Sequence, residues 1–252
     1  MKKWEKQTMK IAALGAMALT LAGCATAKSS SSQGNNPGKT IKIGVNMELS
    51  GSAAGYGEQQ KQGIQLAVKK INKSGGIKVG GTKKKIQLVI RDNKTSNTTA
   101  ASVAAQLVNN DKVVAVVGPA TTSAGTAAIP NMTKAAVPSV SPSATDPDYT
   151  LQKSGKVQKY IFRACYQNNF QGATAATFVT KNLKAKRVAI LTDNSSDYGT
   201  GLTKAFKKQY RGTVVSSQTF QEGDKDFNAI LTALKHKKID AIYGRDTTPK
   251  SV

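Results

Sequence analysis

The chain has 252 residues and a formal net charge of +23, from 37 Lys and Arg against 14 Asp and Glu, with two cysteines and one histidine. That length suits one large domain or two small ones, and two cysteines cannot build a disulfide framework. The lysines are scattered, as at Lys69-Lys70, Lys83 to Lys85 and Lys207-Lys208, with no basic stripe among stacking aromatics. This argues against nucleic acid as a partner and fits attraction to an anionic wall or lipid headgroups.

Lys2, Lys3, Lys6 and Lys10 precede an apolar run from Ile11 to Ala22. The run is shorter than the roughly 20 residues of a spanning helix, so residues 1–23 read as a cleavable export signal. Leu21-Ala22-Gly23-Cys24 resembles the lipobox of bacterial lipoproteins, which implies lipid on Cys24 and an extracytoplasmic, membrane-anchored chain. Cys165 is then left without a disulfide partner. Residues 24–40 hold no large apolar side chain and read as the lipidated cysteine and a flexible tether.

From Ile41 onward, strand and helix periods alternate. A strand is expected at Ile41 to Val45, then a helix from about Gly57 to Lys73 with Ile64, Ala67, Val68 and Ile71 on one face. Gly75-Gly76 supplies its stop. Strand Ile86 to Ile90, a helix from Thr98 to Asn109, strand Val113 to Val117, helix Thr122 to Lys134 and strand Pro138 to Val140 follow. Asp146 to Val157 is loop-rich, and Tyr160 to Arg163 crosses to a second series. That series holds helix 169–183, strand Arg187 to Leu191, helix 198–210, strand Thr213 to Gln218, helix Asp226 to Lys237 and strand Ile239 to Tyr243. Phe227, Ile230, Leu231 and Leu234 share one face of that last helix. Two βαβα series predict an α/β fold of two lobes, each a doubly wound parallel sheet covered by helices. The expected boundaries are 41–163 for the first lobe, 164–243 for a partial second lobe and 244–252 for an aberrant tail.

Ligands of open α/β sheets bind beyond the carboxyl ends of the strands. Three loops fall there: Ser50 to Gly57, carrying Tyr56; Gly118 to Ser123; and Ser141 to Pro147. The second opens a helix, whose first N–H groups lack internal partners and favour an anion. Thr121, Thr122 and Ser123 add hydroxyls suited to a small carboxylate, although Thr122 serves equally as a plain helix cap. Catalysis is disfavoured. The single His236 lies in a basic helix end, no third glycine completes a dinucleotide turn, and no phosphate loop is present. Neither a cofactor nor a metal site is expected, and Cys165 reads as an inert thiol.

The segments SGSAAGYGEQ, VVGPATTS, VPSVSPSATDP, FRACYQNNFQG and SSDYGTGL, in that order, resemble the branched-chain amino-acid-binding proteins of ABC importers, which have the type I periplasmic binding protein fold. The resemblance covers about residues 41–243. It implies a monomer that delivers an amino acid to ABC permease subunits, with the ligand head held by Thr122, Ser143 and Thr145. Ala120, Thr121 and Ala144 would complete that cradle, Tyr56 would close one side and Tyr198 would fold over the ligand. An extracellular amino-acid sensor of the same fold is the alternative. After Tyr243 the chain departs from the family pattern, which implies a truncated form with an incomplete second lobe, no acidic partner for the ligand ammonium, and weak or absent leucine binding.

Overall fold

A computed structural model describes residues 38–245 of the chain. The expected export signal, Cys24, most of the expected tether and the tail from residue 246 lie outside the described residues. The elements run β1 (Thr40–Met47), α1 (Ala54–Lys73), β2 (Ile77–Val79), β3 (Thr82–Asp92), α2 (Asn97–Asn109), β4 (Ala115–Val117), α3 (Thr122–Lys134) and β5 (Ser139–Ser141). A short 3-10 turn at Pro147–Thr150 leads to β6 (Ile161–Arg163). Then come α4 (Asn168–Lys181), β7 (Arg187–Asp193), α5 (Asp197–Gln209), β8 (Thr213–Phe220), α6 (Asn228–Lys235) and β9 (Ala241–Arg245).

The strands form two sheets, ordered β2-β3-β1-β4-β5-β6 and β8-β7-β9. All their pairings are parallel except the β2–β3 hairpin. β1 lies mid-sheet, between β3 and β4, and its C-terminal half is buried on both faces, as a helix-covered parallel strand requires. Val45 and Met47 enter one apolar cluster, with Ala120. On another face, Leu107, Val116, Met132 and Ile161 pack between α2, α3 and the sheet. The second sheet has its own core, in which Val188, Ile190, Phe206 and Tyr210 meet α4 and α5. Phe206 stacks on Tyr243 with ring centroids 3.9 Å apart. The crossing segment at Tyr160 to Arg163 supplies β6, the edge of the first sheet, through Ser139↔Ile161 and Ser141↔Arg163 pairing.

Three departures from expectation have simple physical reasons. The β2–β3 hairpin was not expected; its turn is Gly80-Gly81, both at positive φ (55° and 83°), the backbone that a two-residue hairpin turn demands. α1 begins at Ala54, so the end of the glycine-rich loop is helical, and Gly57 is buried where a Cβ would lie 1.9 Å from the Glu48 carbonyl oxygen. Only hydrogen fits at that crossing. α6 is shorter than its apolar period, starting at Asn228, whose amide donates to the Asp226 carboxylate (2.9 Å) in a turn just ahead of the helix. Of its expected apolar face only Leu234 is buried, while Leu231 is 53% exposed.

Asp92 ends β3 and ties the first glycine-rich loop to it. Its carboxylate accepts from the amides of Leu49 (2.9 Å), Ser50 (3.2 Å) and Lys94 (2.7 Å) and from the Ser50 hydroxyl (2.6 Å). Burial works against the charged form, but these bonds outweigh it and hold the carboxyl below the ordinary aspartate range. A depressed folded pKa stabilises the fold above the unfolded value near ~4 and withdraws that support as pH falls through the folded value. Urea midpoints measured from pH 5 down to pH 2 should therefore drop, and Asp92→Asn should remove part of that slope. An unchanged slope would mean the ties carry no pH-linked stability.

Candidate functional site

The carboxyl ends of β1, β4 and β5 in the first sheet and of β7 and β8 in the second carry loops that meet around one hollow of about 370 Å³. That is within the ~300–1,000 Å³ range of small-molecule sites. Tyr56, Ala120, Thr121, Thr122, Ser143, Thr145 and Tyr198, expected from sequence, all line it. Ala144 does not. It is fully buried in the first core, its amide donating to the Ser141 hydroxyl (2.9 Å) and its carbonyl oxygen accepting from the Arg163 guanidinium (3.2 Å). The resemblance placed Ala144 in the cradle between Ser143 and Thr145, but an extended loop sends alternate side chains to opposite sides.

The start of α3 is organised by Glu48, a residue not anticipated. Its side chain is wholly buried and accepts from the amides of Ala120 (2.9 Å) and Thr121 (3.0 Å) and from the Thr121 hydroxyl (2.9 Å). A charge buried next to a helix start is stabilised by these donors and by the positive end of the dipole. The signal lay in the strand itself: a carboxylate directly after Val45-Asn46-Met47, at the strand end where crevices form. Thr121, not Thr122, is the helix cap, its hydroxyl accepting from the Ala124 amide at 3.4 Å. Thr122 is thereby released from capping. Its hydroxyl accepts from the Asp146 amide at 3.4 Å and keeps its own proton to give. The amides of Thr122 and Ser123 have no hydrogen-bond acceptor among the described residues.

The third loop offers complementary chemistry. The Ser143 hydroxyl donates to the Ala120 carbonyl (2.8 Å) and accepts from Gln60 (2.8 Å), so toward the hollow it can only accept. The Thr145 hydroxyl is buried with no hydrogen-bond partner, although the residue is only 6% exposed. An unpaired buried hydroxyl costs stability unless something fills its valence. Arg163 holds this loop rigid, its guanidinium donating to the carbonyl oxygens of Ala144, Asp146 and Pro147 and to the Thr150 hydroxyl. Cys165 donates weakly to the Ala144 carbonyl (3.5 Å), and burial raises its thiol pKa, with Arg163 pulling the other way, so it stays protonated and unreactive.

The second lobe closes the opposite wall. Tyr198 sits in the first turn of α5, its phenol oxygen 3.0 Å from Gln171 Nε2 and 3.2 Å from Gln171 Oε1. Ser196 caps α5 through the Gly199 amide (3.0 Å), and Asp193 accepts from the Ser195 and Ser196 hydroxyls. A bond from the Ser123 hydroxyl to Asp197 (3.1 Å) joins α3 to α5 across the opening. Sequence reasoning missed Tyr166, Ser195, Ser196 and Glu222 on this wall. They follow strands or crossing segments of the second lobe, where the carboxyl-end rule applies as well as in the first.

Two helix-covered parallel sheets with a ligand hollow between their strand ends define a type I periplasmic binding protein fold, its second sheet here of three strands. The chain belongs to the periplasmic binding protein family, which it matches over residues 40–252. It is 38% identical over 206 residues to the Leu/Ile/Val-binding protein BraC3 of Rhizobium johnstonii, covering 81% of this chain and 53% of that protein. Among solved structures it resembles the branched-chain amino acid transporter substrate-binding protein LivJ of Streptococcus pneumoniae in complex with isoleucine, at 49% identity and a TM-score of 0.74, covering 81% and 56%. It also resembles a solute-binding protein of an ABC transporter from Rhodopseudomonas palustris in complex with 3,4-dihydroxybenzoic acid, at 28% identity and a TM-score of 0.69, covering 81% and 53%. The chain thus spans about half the length of these relatives.

Proposed function

We propose that this chain is an extracytoplasmic receptor, anchored through lipid on Cys24, that holds a branched-chain amino acid between two lobes (residues 41–163 and 164–243) and hands it to an ABC importer. One observation carries the reading. The open amides of Thr122 and Ser123 stand at a helix start on the lining of a single hollow, with Thr145 also on its wall, and that wall bears no Lys or Arg among the described residues. Neutral donors at a helix start suit a small carboxylate. The accepting oxygen of Ser143 beside them suits an ammonium. The branched-chain ligands named for the relatives BraC3 and LivJ support the side-chain class. Hinge closure of two lobes would present cargo to a permease. Among the described residues no serine–histidine–acid set lines the hollow.

The test is ligand-induced stabilisation of the chain. Millimolar L-leucine or L-isoleucine should raise its melting temperature, because binding at ten times Kd adds about 1.4 kcal/mol. Leucinol, which lacks the carboxylate, should not. Equal shifts from leucine and leucinol would show that the helix start is not the carboxylate site.

A further inference from the structure

The hollow sits at the carboxyl ends of the first sheet's strands, and the opposite end of the same sheet carries charge of one sign. The sequence has no Asp or Glu between Glu58 and Asp92, and within that stretch Lys70, Lys73, Lys78, Lys83, Lys84 and Lys85 gather at one corner. Asn72 fixes the corner. Its side chain bonds the Ile86 amide (2.7 Å) and carbonyl (2.8 Å), which holds the last turn of α1, with Lys70 and Lys73, against β3. Lys78 and Lys83 stand directly opposite each other in the β2–β3 pairing. Like charges so placed repel. The ion pairs among the described residues, Lys61–Glu58 and Arg91–Asp111, bring no carboxylate to either lysine. Guarding a sheet edge would account for a lysine on β2, but Lys83, Lys84 and Lys85 stand on β3, the next strand in. Ile77 and Val79 on β2 are exposed among them, at 36% and 42%. The described chain also enters here. The Lys39 carbonyl, just ahead of β1, accepts from the Lys85 amide at 2.9 Å, so the segment running back to Cys24 starts at this corner.

We propose that the β2–β3 hairpin and the end of α1 form a docking face for anionic phospholipid headgroups of the membrane that holds the chain. The inference goes beyond the ligand reading and takes from it only the anchor at Cys24. Each lysine brought to an anionic lipid surface strengthens binding about fivefold. The surface also supplies the negative charge that Lys78 and Lys83 lack within the fold. Ile77 and Val79 add apolar area that the boundary between headgroups and acyl chains can take up. An anchor in the same membrane makes the contact intramolecular, so a face of modest affinity suffices. Because the hollow lies at the other end of these strands, a docked chain keeps it turned away from the bilayer and open to ligand.

The experiment follows amide hydrogen exchange of the full chain mixed with vesicles of phosphatidylcholine alone or of phosphatidylglycerol and phosphatidylcholine. The vesicles supply the membrane, so the result does not depend on lipid at Cys24 or on a bound amino acid. Amides of residues 77–85 should exchange more slowly with the anionic vesicles and not with the neutral ones. The protection should vanish as salt rises from ~0.1 M to ~1 M and the screening length falls from ~10 Å to ~3 Å. A combined Lys83→Gln, Lys84→Gln and Lys85→Gln variant should need about a hundredfold more anionic lipid for half-protection. It should keep the parent melting temperature or exceed it, because the change also removes the Lys78–Lys83 repulsion. No protection by anionic vesicles, equal protection by neutral ones, or parent-like protection of the variant overturns the proposal. So does equal protection by soluble poly(glycerol phosphate), which would assign the corner to a wall polymer.

Discussion

Replacing Glu48 with alanine is expected to lower folding stability by about 3 kcal/mol and to abolish ligand binding. The carboxylate is wholly buried and satisfies the amides of Ala120 and Thr121 and the Thr121 hydroxyl. Its removal leaves two donor amides facing a cavity at a helix start, each an unpaired buried group worth about 1–3 kcal/mol. The loop that carries those amides also carries Thr122, so the head-group cradle loses its shape with its anchor. Glu48→Gln should fall between the parent and the alanine variant. The glutamine oxygen can serve Thr121, but its amino group would oppose the Ala120 amide, donor against donor. Urea unfolding followed by circular dichroism measures both variants, and calorimetry with leucine measures binding. Parent-like midpoints for both would mean that Glu48 does not organise this loop.

The sequence displayed some of this directly. α3 ran from Thr122 to Lys134 as expected, because a hydroxyl-rich entry, a helical apolar period and a cationic last turn agree with one another. The central strands were legible for a similar reason: the apolar run Val113 to Val117 between turn signals holds β4, although only Ala115–Val117 pairs as strand. Glu48 was invisible to periodicity because a strand end carrying a charge looks like the start of a solvated loop. Its meaning comes only from the amides of Ala120 and Thr121, more than 70 residues away. The choice between Thr121 and Thr122 as cap turned on one residue of helix register, which sequence patterns leave open. α6 shows the opposite limit. Its apolar face is real in the sequence, yet Leu231 on it stays more than half exposed, since amphipathicity records what a face is suited to meet and not what meets it.

Thr145→Val should separate binding from folding more sharply than any other substitution in the site. The hydroxyl is buried without a hydrogen-bond partner, so the ligand-free protein pays for its burial and receives nothing. A methyl of the same shape in its place should leave stability unchanged or raise it by up to about 1 kcal/mol. Leucine affinity should fall by about 2 kcal/mol, roughly thirtyfold, because the ligand's charged head would lose a bond and meet an apolar surface. Thr145→Ser keeps the hydroxyl and should keep most of the affinity, with a small loss of packing. The two measurements are a urea midpoint and a calorimetric titration on each variant. Stability that falls together with affinity would mean that the hydroxyl is structural, filled by a group within the fold. Stability held while binding is lost would assign the unpaired oxygen to the ligand.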